Sequence, residues 1–243
     1  MAATTSQPMY EDGSLSKATG EVLRPGGMDL TDRLLALCEL SAGDSVLDVG
    51  CGTGSSLLHM AEAYPFRLVG IDRSELLLQT GIRNHPHLPL ACAWGRSLPV
   101  ASGQMAAVLA ECSLSAMSNV EDVLAEFQRV LRPGGRLALS DVYARNPDGI
   151  PSLRALPLSC GVRDALAQAD LFRRLQAHDF KILVWEDCSD ALQYLASQIT
   201  LAHGSMSQFW NRSEPAADPI DIQIAISRAK LGYYLLVAMK RVG

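Results

Sequence analysis

The stretch from Ser45 to Asp72 constrains this chain more than any other. It holds a short apolar run (Val46, Leu47, Val49), three glycines at alternate positions (Gly50, Gly52, Gly54), a helix-forming segment from Ser55 to Tyr64 stopped by Pro65, and a second apolar run, Leu68 to Ile71, that ends on Asp72. Read as strand, glycine loop, helix and strand, it is a nucleoside-binding unit. An acid about 20 residues beyond the first glycine stands where such units grip ribose hydroxyls. The dinucleotide fingerprint G-x-G-x-x-G fails, because its third glycine would fall on Ser55 counting from Gly50, or on Leu57 counting from Gly52. A nicotinamide-dependent oxidoreductase is therefore a weakened alternative.

The rest of the chain repeats the alternation. Asp29 is expected to cap a helix with the stripe Leu30, Leu34, Leu37 and Cys38. Ser74 caps one carrying Leu76 to Leu78, and Ser118 with Glu121 has the capping-box spacing for one with Val120, Leu124, Phe127 and Leu131 on one face. Strands are expected at Leu88–Trp94, Met105–Ala110, Leu137–Val142, Lys181–Trp185 and Tyr233–Lys240, with helices over about 162–177, from Asp190, and near 220–230. Strand following helix argues an α/β, Rossmann-like fold, mostly parallel, with helices on both faces. Residues 1–28, with Asp12-Gly13 and Pro25-Gly26-Gly27, read as an N-terminal arm or lid. Residues 29–243 read as one domain with substrate-side insertions near 143–161 and 187–218. Leu23-Arg-Pro-Gly-Gly27 recurs as Leu131-Arg-Pro-Gly-Gly135, but the flanks do not match, so no repeat is inferred.

Composition narrows the partners. A chain of 243 residues suffices for one large core. A net charge of −5 without basic runs disfavours nucleic acid and favours a small-molecule substrate. The start lacks a secretory signal, and the charge-free run Ala191–Asn211 is interrupted by polar residues, so no membrane span and a cytoplasmic location are expected. The oligomeric state is left open. The six cysteines show no C-x-x-C pair and read as free thiols, with Cys38 and Cys92 in the core. No histidine pattern supports a metal site.

Asp48-x-Gly50-x-Gly52-x-Gly54 resembles the glycine loop of class I S-adenosylmethionine-dependent methyltransferases. Val123–Asp141, with its helix, Arg132-Pro-Gly-Gly135 turn and strand, is similar to the segment after the cofactor site in their small-molecule branch. The resemblance covers roughly residues 34–142. It implies a seven-stranded sheet ending in an antiparallel pair, S-adenosylmethionine as cofactor, and cofactor contacts at Asp48, Gly50, Cys51, Gly52, Gly54, Asp72, Arg73, Ser97, Leu98 and Glu111. Asp48 would hold the cofactor's amino end, directly or through water.

Within that group, Glu111-Cys112, Ser140-Asp141-Val142 and Cys160-Gly-Val-Arg resemble arsenite methyltransferases. This implies a thiophilic acceptor at Cys112 and Cys160, with Asp141 on the substrate side. Two departures stand beside it. Tyr10–Ser14 has that family's turn without its thiol, and Trp94–Pro99 lacks the acid that meets adenine. An organic acceptor of quinol, acid or amine type, and a cofactor-binding partner without catalysis, are the alternatives. A hard oxygen or nitrogen nucleophile would need a base, for which Asp141, Glu111 and Tyr143 are the candidates. Tyr10, Tyr143 and Trp210 are candidate pocket walls.

Overall fold

The computed structural model describes residues 9–20 and 22–242. In chain order its elements are α1 (Ser14–Thr19), α2 (Gly27–Cys38), β1 (Ser45–Val49), α3 (Ser55–Ala63), β2 (Arg67–Asp72), α4 (Glu75–Asn84), β3 (Leu90–Cys92), β4 (Met105–Glu111), α5 (Val120–Val130) and β5 (Leu131–Ala144). Then come α6 (Ile150–Arg154), β6 (Leu166–Ala167), α7 (Gln168–Ala177), β7 (Phe180–Asp187), α8 (Ser189–His203), α9 (Met206–Ser213), α10 (Pro219–Ala229) and β8 (Leu231–Lys240). The strands form one sheet in the order β3-β2-β1-β4-β5-β8-β7. β3 to β5 run parallel, and β8 enters antiparallel between β5 and β7. The expected late antiparallel pair is present.

The sheet has eight strands rather than seven, because Leu166–Ala167 pairs with the end of β5. The helix expected from 162 therefore starts at Gln168, after a 3-10 turn at Gly161–Asp164. Arg132-Pro-Gly-Gly135 is a bulge inside β5, where the register with β4 slips between Met105 and Ala107. Ser74 caps α4, its Oγ accepting from Leu77 N at 3.2 Å. Ser118 does not cap α5, which is preceded by Asn119 in the left-handed conformation. Asp29 lies inside the first turn of α2, which begins at Gly27.

Both faces of the sheet are covered. On one, α5 and α7 bury Val123, Leu124, Phe127, Leu171 and Leu175 against Leu47, Val108 and Leu139. On the other, α2 and α3 bury Leu34, Cys38, Leu57 and Met60 against Val46, Ala107 and Leu109. Apolar burial at roughly 25 cal/mol per Å² makes these two layers the main stabilising term.

The described part of the N-terminal stretch is packed rather than extended. Leu15 and Met9 share a cluster with Leu195, Ile199, Phe209 and Trp210 of α8 and α9. The buried His203 donates from Nε2 to Ser14 O at 2.8 Å, and the hydroxyls of Ser14 and Ser213 meet at 2.8 Å. Among the described residues no helix is long and apolar enough to cross a membrane, and Ala191–Asn211 is broken at Gly204 between α8 and α9.

Candidate active site

β1 sits between β2 and β4. In sequence order the crossover helices leave β1 in one direction to reach β2 and later return to β4 on the other side. Ligands of such sheets bind where the order reverses, beyond the carboxyl ends of the strands. The glycine loop occupies that point. Gly50 N and Cys51 N both donate to Ile71 O, at 2.7 and 3.1 Å, which folds the loop against the end of β2. Gly50 has φ 84°. A Cβ there would lie 2.4 Å from Ser113 Cβ, whose hydroxyl is held 2.8 Å from Val49 O. Only glycine meets both demands.

Asp72 secures the same loop from the other strand. Its Oδ2 accepts from Gly52 N and its Oδ1 from Ser74 N, each at 2.8 Å. Each oxygen keeps a lone pair for a ligand hydroxyl.

The loop borders a cavity of about 1200 Å³, mouth included. Arg73, Trp94 and Arg96 lie beside Asp72, the two guanidiniums 5.7 and 5.4 Å from the indole centroid. Asp48, Glu111 and Arg24 also line the cavity, as do Tyr10, Glu11 and Leu23 of the N-terminal segment, Cys112, and Met117 beside Gly50 and Gly95.

The cavity wall holds a buried network. Arg24 Nε is 3.2 Å from Glu111 Oε1, with side chains 9% and 3% exposed. Arg24 also donates to Thr31 Oγ1. Thr31 Oγ1 lies 3.1 Å from both Glu111 oxygens, and Ser56 Oγ donates to Oε2 at 3.3 Å. Asp48 is 3% exposed, and its Oδ2 has no hydrogen-bond partner among the described residues. Burial, then the field of Glu111, push its carboxyl up to about 8, against the pull of Arg24.

Of the expected site residues, the structure brings Asp48, Gly50, Cys51, Gly52, Asp72, Arg73, Glu111 and Cys112 to this cavity. Five others lie outside it. Gly54 precedes α3 and packs toward Leu88 and Leu90. Ser97 closes a tight turn on Trp94 O, and Leu98 is a core residue whose N–H goes to Glu126 at 2.7 Å. Asp141 is spent on structure, accepting from Ser115 N, Ser115 Oγ and Val142 N at 2.7–2.8 Å; burial lifts it to about 6, and it faces a separate small cavity with Tyr234.

Cys160, the fifth, is buried with Leu158 and Trp210, and burial pushes its thiol up to about 12. Cys112 stays on the cavity wall in the left-handed conformation, φ 52°. Burial and the field of Asp141 raise its thiol as well. Tyr10 links the two regions, its hydroxyl accepting from Gly161 N at 3.3 Å. Tyr143 and Trp210 are packed away from the cavity, Tyr143 bonding Asp187 at 2.8 Å. Cys92, expected in the core, is exposed on β3.

Sequence reasoning did not find Arg24 or Glu11. The one local signal for Arg24 was an arginine set before Pro25-Gly26-Gly27, a turn that aims the preceding residue back over α2. Among the described residues no three His, Cys, Asp or Glu side chains converge as metal ligands.

An α/β sheet with a glycine loop at its reversal point, a hydroxyl-directed acid and an unsatisfied buried carboxylate defines a protein that holds a nucleoside cofactor with a cationic end. S-adenosylmethionine fits these groups: its ribose suits Asp72, its ammonium suits Asp48 Oδ2, and the loop has no side chain in the way. The comparisons agree. Residues 46–135 match the family described as Methyltransferase domain. The chain is 30% identical over 228 residues to the 27-O-demethylrifamycin SV methyltransferase of Amycolatopsis mediterranei (strain S699), covering 87% of this chain and 82% of that one. It is 28% identical over 180 residues to the demethylmenaquinone methyltransferase of Corynebacterium urealyticum (strain ATCC 43042 / DSM 7109), covering 65% and 77%.

Among solved structures, the [4+2]-cyclase SpnF superposes with a TM-score of 0.75 at 28% identity, covering 97% of this chain and 94% of that one. Geranyl diphosphate methyltransferase in complex with the same cofactor shares the fold, with a TM-score of 0.71 at 17% identity over 88% and 85% of the chains. The chain belongs to the S-adenosylmethionine-dependent methyltransferases, and S-adenosylmethionine is its cofactor.

Proposed function

We propose that this methyltransferase acts on an organic small molecule at a hydroxyl or enol oxygen. The observation that carries the reading is the acceptor-side wall. Both nearby thiols are held protonated by burial, and only Cys112 of the pair reaches the cavity. Glu11 is a carboxylate on that wall with no hydrogen bond or ion pair among the described residues. A soft metalloid acceptor needs several thiolates, so arsenite is disfavoured. An oxygen acceptor needs a base within reach, and Glu11 serves as that base. Relatives named for O-methylation, including the rifamycin enzyme and a malonyl-[acyl-carrier protein] O-methyltransferase, support the same acceptor atom.

When bound, the cofactor supplies an electrophilic methyl group on a sulfonium. The chain's own residues position and shield. Asp72 orients the ribose, Asp48 the amino end, and the glycine loop permits close backbone approach. Leu23 and Tyr10 exclude water from the acceptor side, and Glu11 takes the acceptor's proton. Alignment of this kind is worth up to about 10 kcal/mol of barrier. The test is a screen of labelled S-adenosylmethionine against macrocyclic alcohols, quinols, small acids, amines and arsenite. Transfer to an oxygen acceptor that falls sharply in Glu11→Gln supports the reading. Transfer to arsenite alone overturns it. Cofactor binding with no transfer to any class would instead favour a non-methylating role, the reading that the likeness to the cyclase keeps in view.

A further inference from the structure

Four acids line the cavity, Glu11, Asp48, Asp72 and Glu111, and the last two are already occupied. Glu111 receives Arg24, Thr31 and Ser56, and Asp72 receives two backbone N–H groups. Of these four, Asp48 alone has a buried oxygen, Oδ2, without a partner among the described residues. The groups that face Asp48 are Glu111 from β4, Arg24 from the N-terminal segment, Asp72 from the end of β2 and the Cys51 thiol of the loop. Among the described residues Arg24 is the one cation of this group, and its hydrogen bonds go to Glu111, Thr31 and Met28 Sδ. An ionised Asp48 would therefore be a buried charge next to a second carboxylate with no counter-charge of its own, an arrangement that burial and like-charge repulsion both disfavour. In the ligand-free site the cheaper state is the neutral acid, in agreement with the upward shift of this carboxyl.

We propose that Asp48 is a proton-linked receptor for the cofactor's ammonium group, holding a proton while the site is empty and releasing it to solvent as the ammonium takes the orphaned oxygen. The exchange balances: a carboxylic acid and a free ammonium become a carboxylate–ammonium pair plus one proton in the buffer, and no covalent bond to carbon or sulfur changes. The inference rests on the assignment of S-adenosylmethionine to this cavity and adds two properties. Binding strengthens as pH rises toward the point at which Asp48 ionises unaided. Ligands without an ammonium do not share that dependence, so Asp48 selects for the amino-acid end of the cofactor and against its truncated nucleoside.

The experiment is calorimetric titration of the full chain at pH 7 in two buffers of different ionisation enthalpy. The probes are S-adenosylhomocysteine, which keeps the ammonium, and 5′-methylthioadenosine, which lacks it. Wild type should release most of a proton with S-adenosylhomocysteine and almost none with methylthioadenosine. Its affinity for S-adenosylhomocysteine should rise about tenfold between pH 6 and pH 7, a range in which the ligand's amine stays protonated.

Asp48→Asn should bind methylthioadenosine like wild type and release no proton with either ligand. Should that variant fail to fold, the carboxyl carbon of Asp48 in labelled wild-type protein gives the same answer by nuclear magnetic resonance, moving from acid to carboxylate on saturation at pH 7. Tight binding of S-adenosylhomocysteine by wild type without buffer-dependent heat, or an unchanged Asp48 resonance, overturns the proposal while leaving the cofactor assignment standing. No binding of either nucleoside overturns the placement of the cofactor itself, and the proposal with it.

Discussion

Replacing Arg24 with methionine tests whether the buried ion pair holds the N-terminal segment over the cavity. Methionine keeps the apolar stem of the side chain, so the main loss is the guanidinium. Its removal leaves Glu111, 3% exposed, without its counter-charge. Removing one member of a buried pair costs about 3–5 kcal/mol. The hydroxyls of Thr31 and Ser56 still donate to Glu111 and retain part of that, so a loss of about 3 kcal/mol is expected.

Urea unfolding of wild type, Arg24→Met, Glu111→Gln and the double variant gives the cycle. The double variant should be more stable than Arg24→Met by about 1–2 kcal/mol, because the uncompensated charge is gone. Limited proteolysis in the same four proteins reads local release of the segment that carries Tyr10, Glu11 and Arg24. A cost below about 1 kcal/mol for Arg24→Met, with additive singles and no new cleavage, would refute the reasoning.

Gly50→Ala should lose about 3–5 kcal/mol and cofactor binding with it, combining strain at φ 84° with a 2.4 Å clash against Ser113; near-normal calorimetric binding would count against the loop geometry. Asp48 in the folded chain titrates near 8, above its ordinary 3.8, so its contribution to stability is complete below about pH 4 and is lost as pH rises toward 8. Without ligand, the stability of Asp48→Asn relative to wild type should therefore climb between pH 4 and 8, by up to about 1.4 kcal/mol per unit, and level off above; a flat difference denies the shift. An aromatic disulfide reagent at pH 8 should modify Cys92 first, since it is exposed, and leave Cys38 and Cys160, pushed up to about 12 by burial, until unfolding; Cys92→Ser should abolish the fast phase.

Features governed by neighbours in sequence were legible without coordinates. The strand–loop–helix–strand around Gly50, the acid at Asp72, the cap at Ser74 and the apolar face of α5 depend on short-range periodicity and on backbone positions that only glycine tolerates. A reader of the sequence sees them directly. The alternation of strand and helix likewise implied a parallel sheet before any strand was placed.

What only the tertiary structure decided is which distant residues share one volume. Asp141 lies near the carboxyl end of β5 and Cys160 in the connection that leaves it, yet hydrogen bonds from Ser115 and Val142 and packing against α9 turn them away from the cavity. Ser97 turns back on Trp94 and Leu98 is drawn into the core beside Glu126, contacts that no spacing rule resolves. β6 arises because two residues happen to lie along the end of β5. Arg24 and Glu11 belong to a stretch without periodicity, and their value comes from a fold that lays that stretch over carboxylates far along the chain. A buried charge is stabilised by its three-dimensional surroundings, and sequence separation carries no information about those surroundings once the chain has closed on itself.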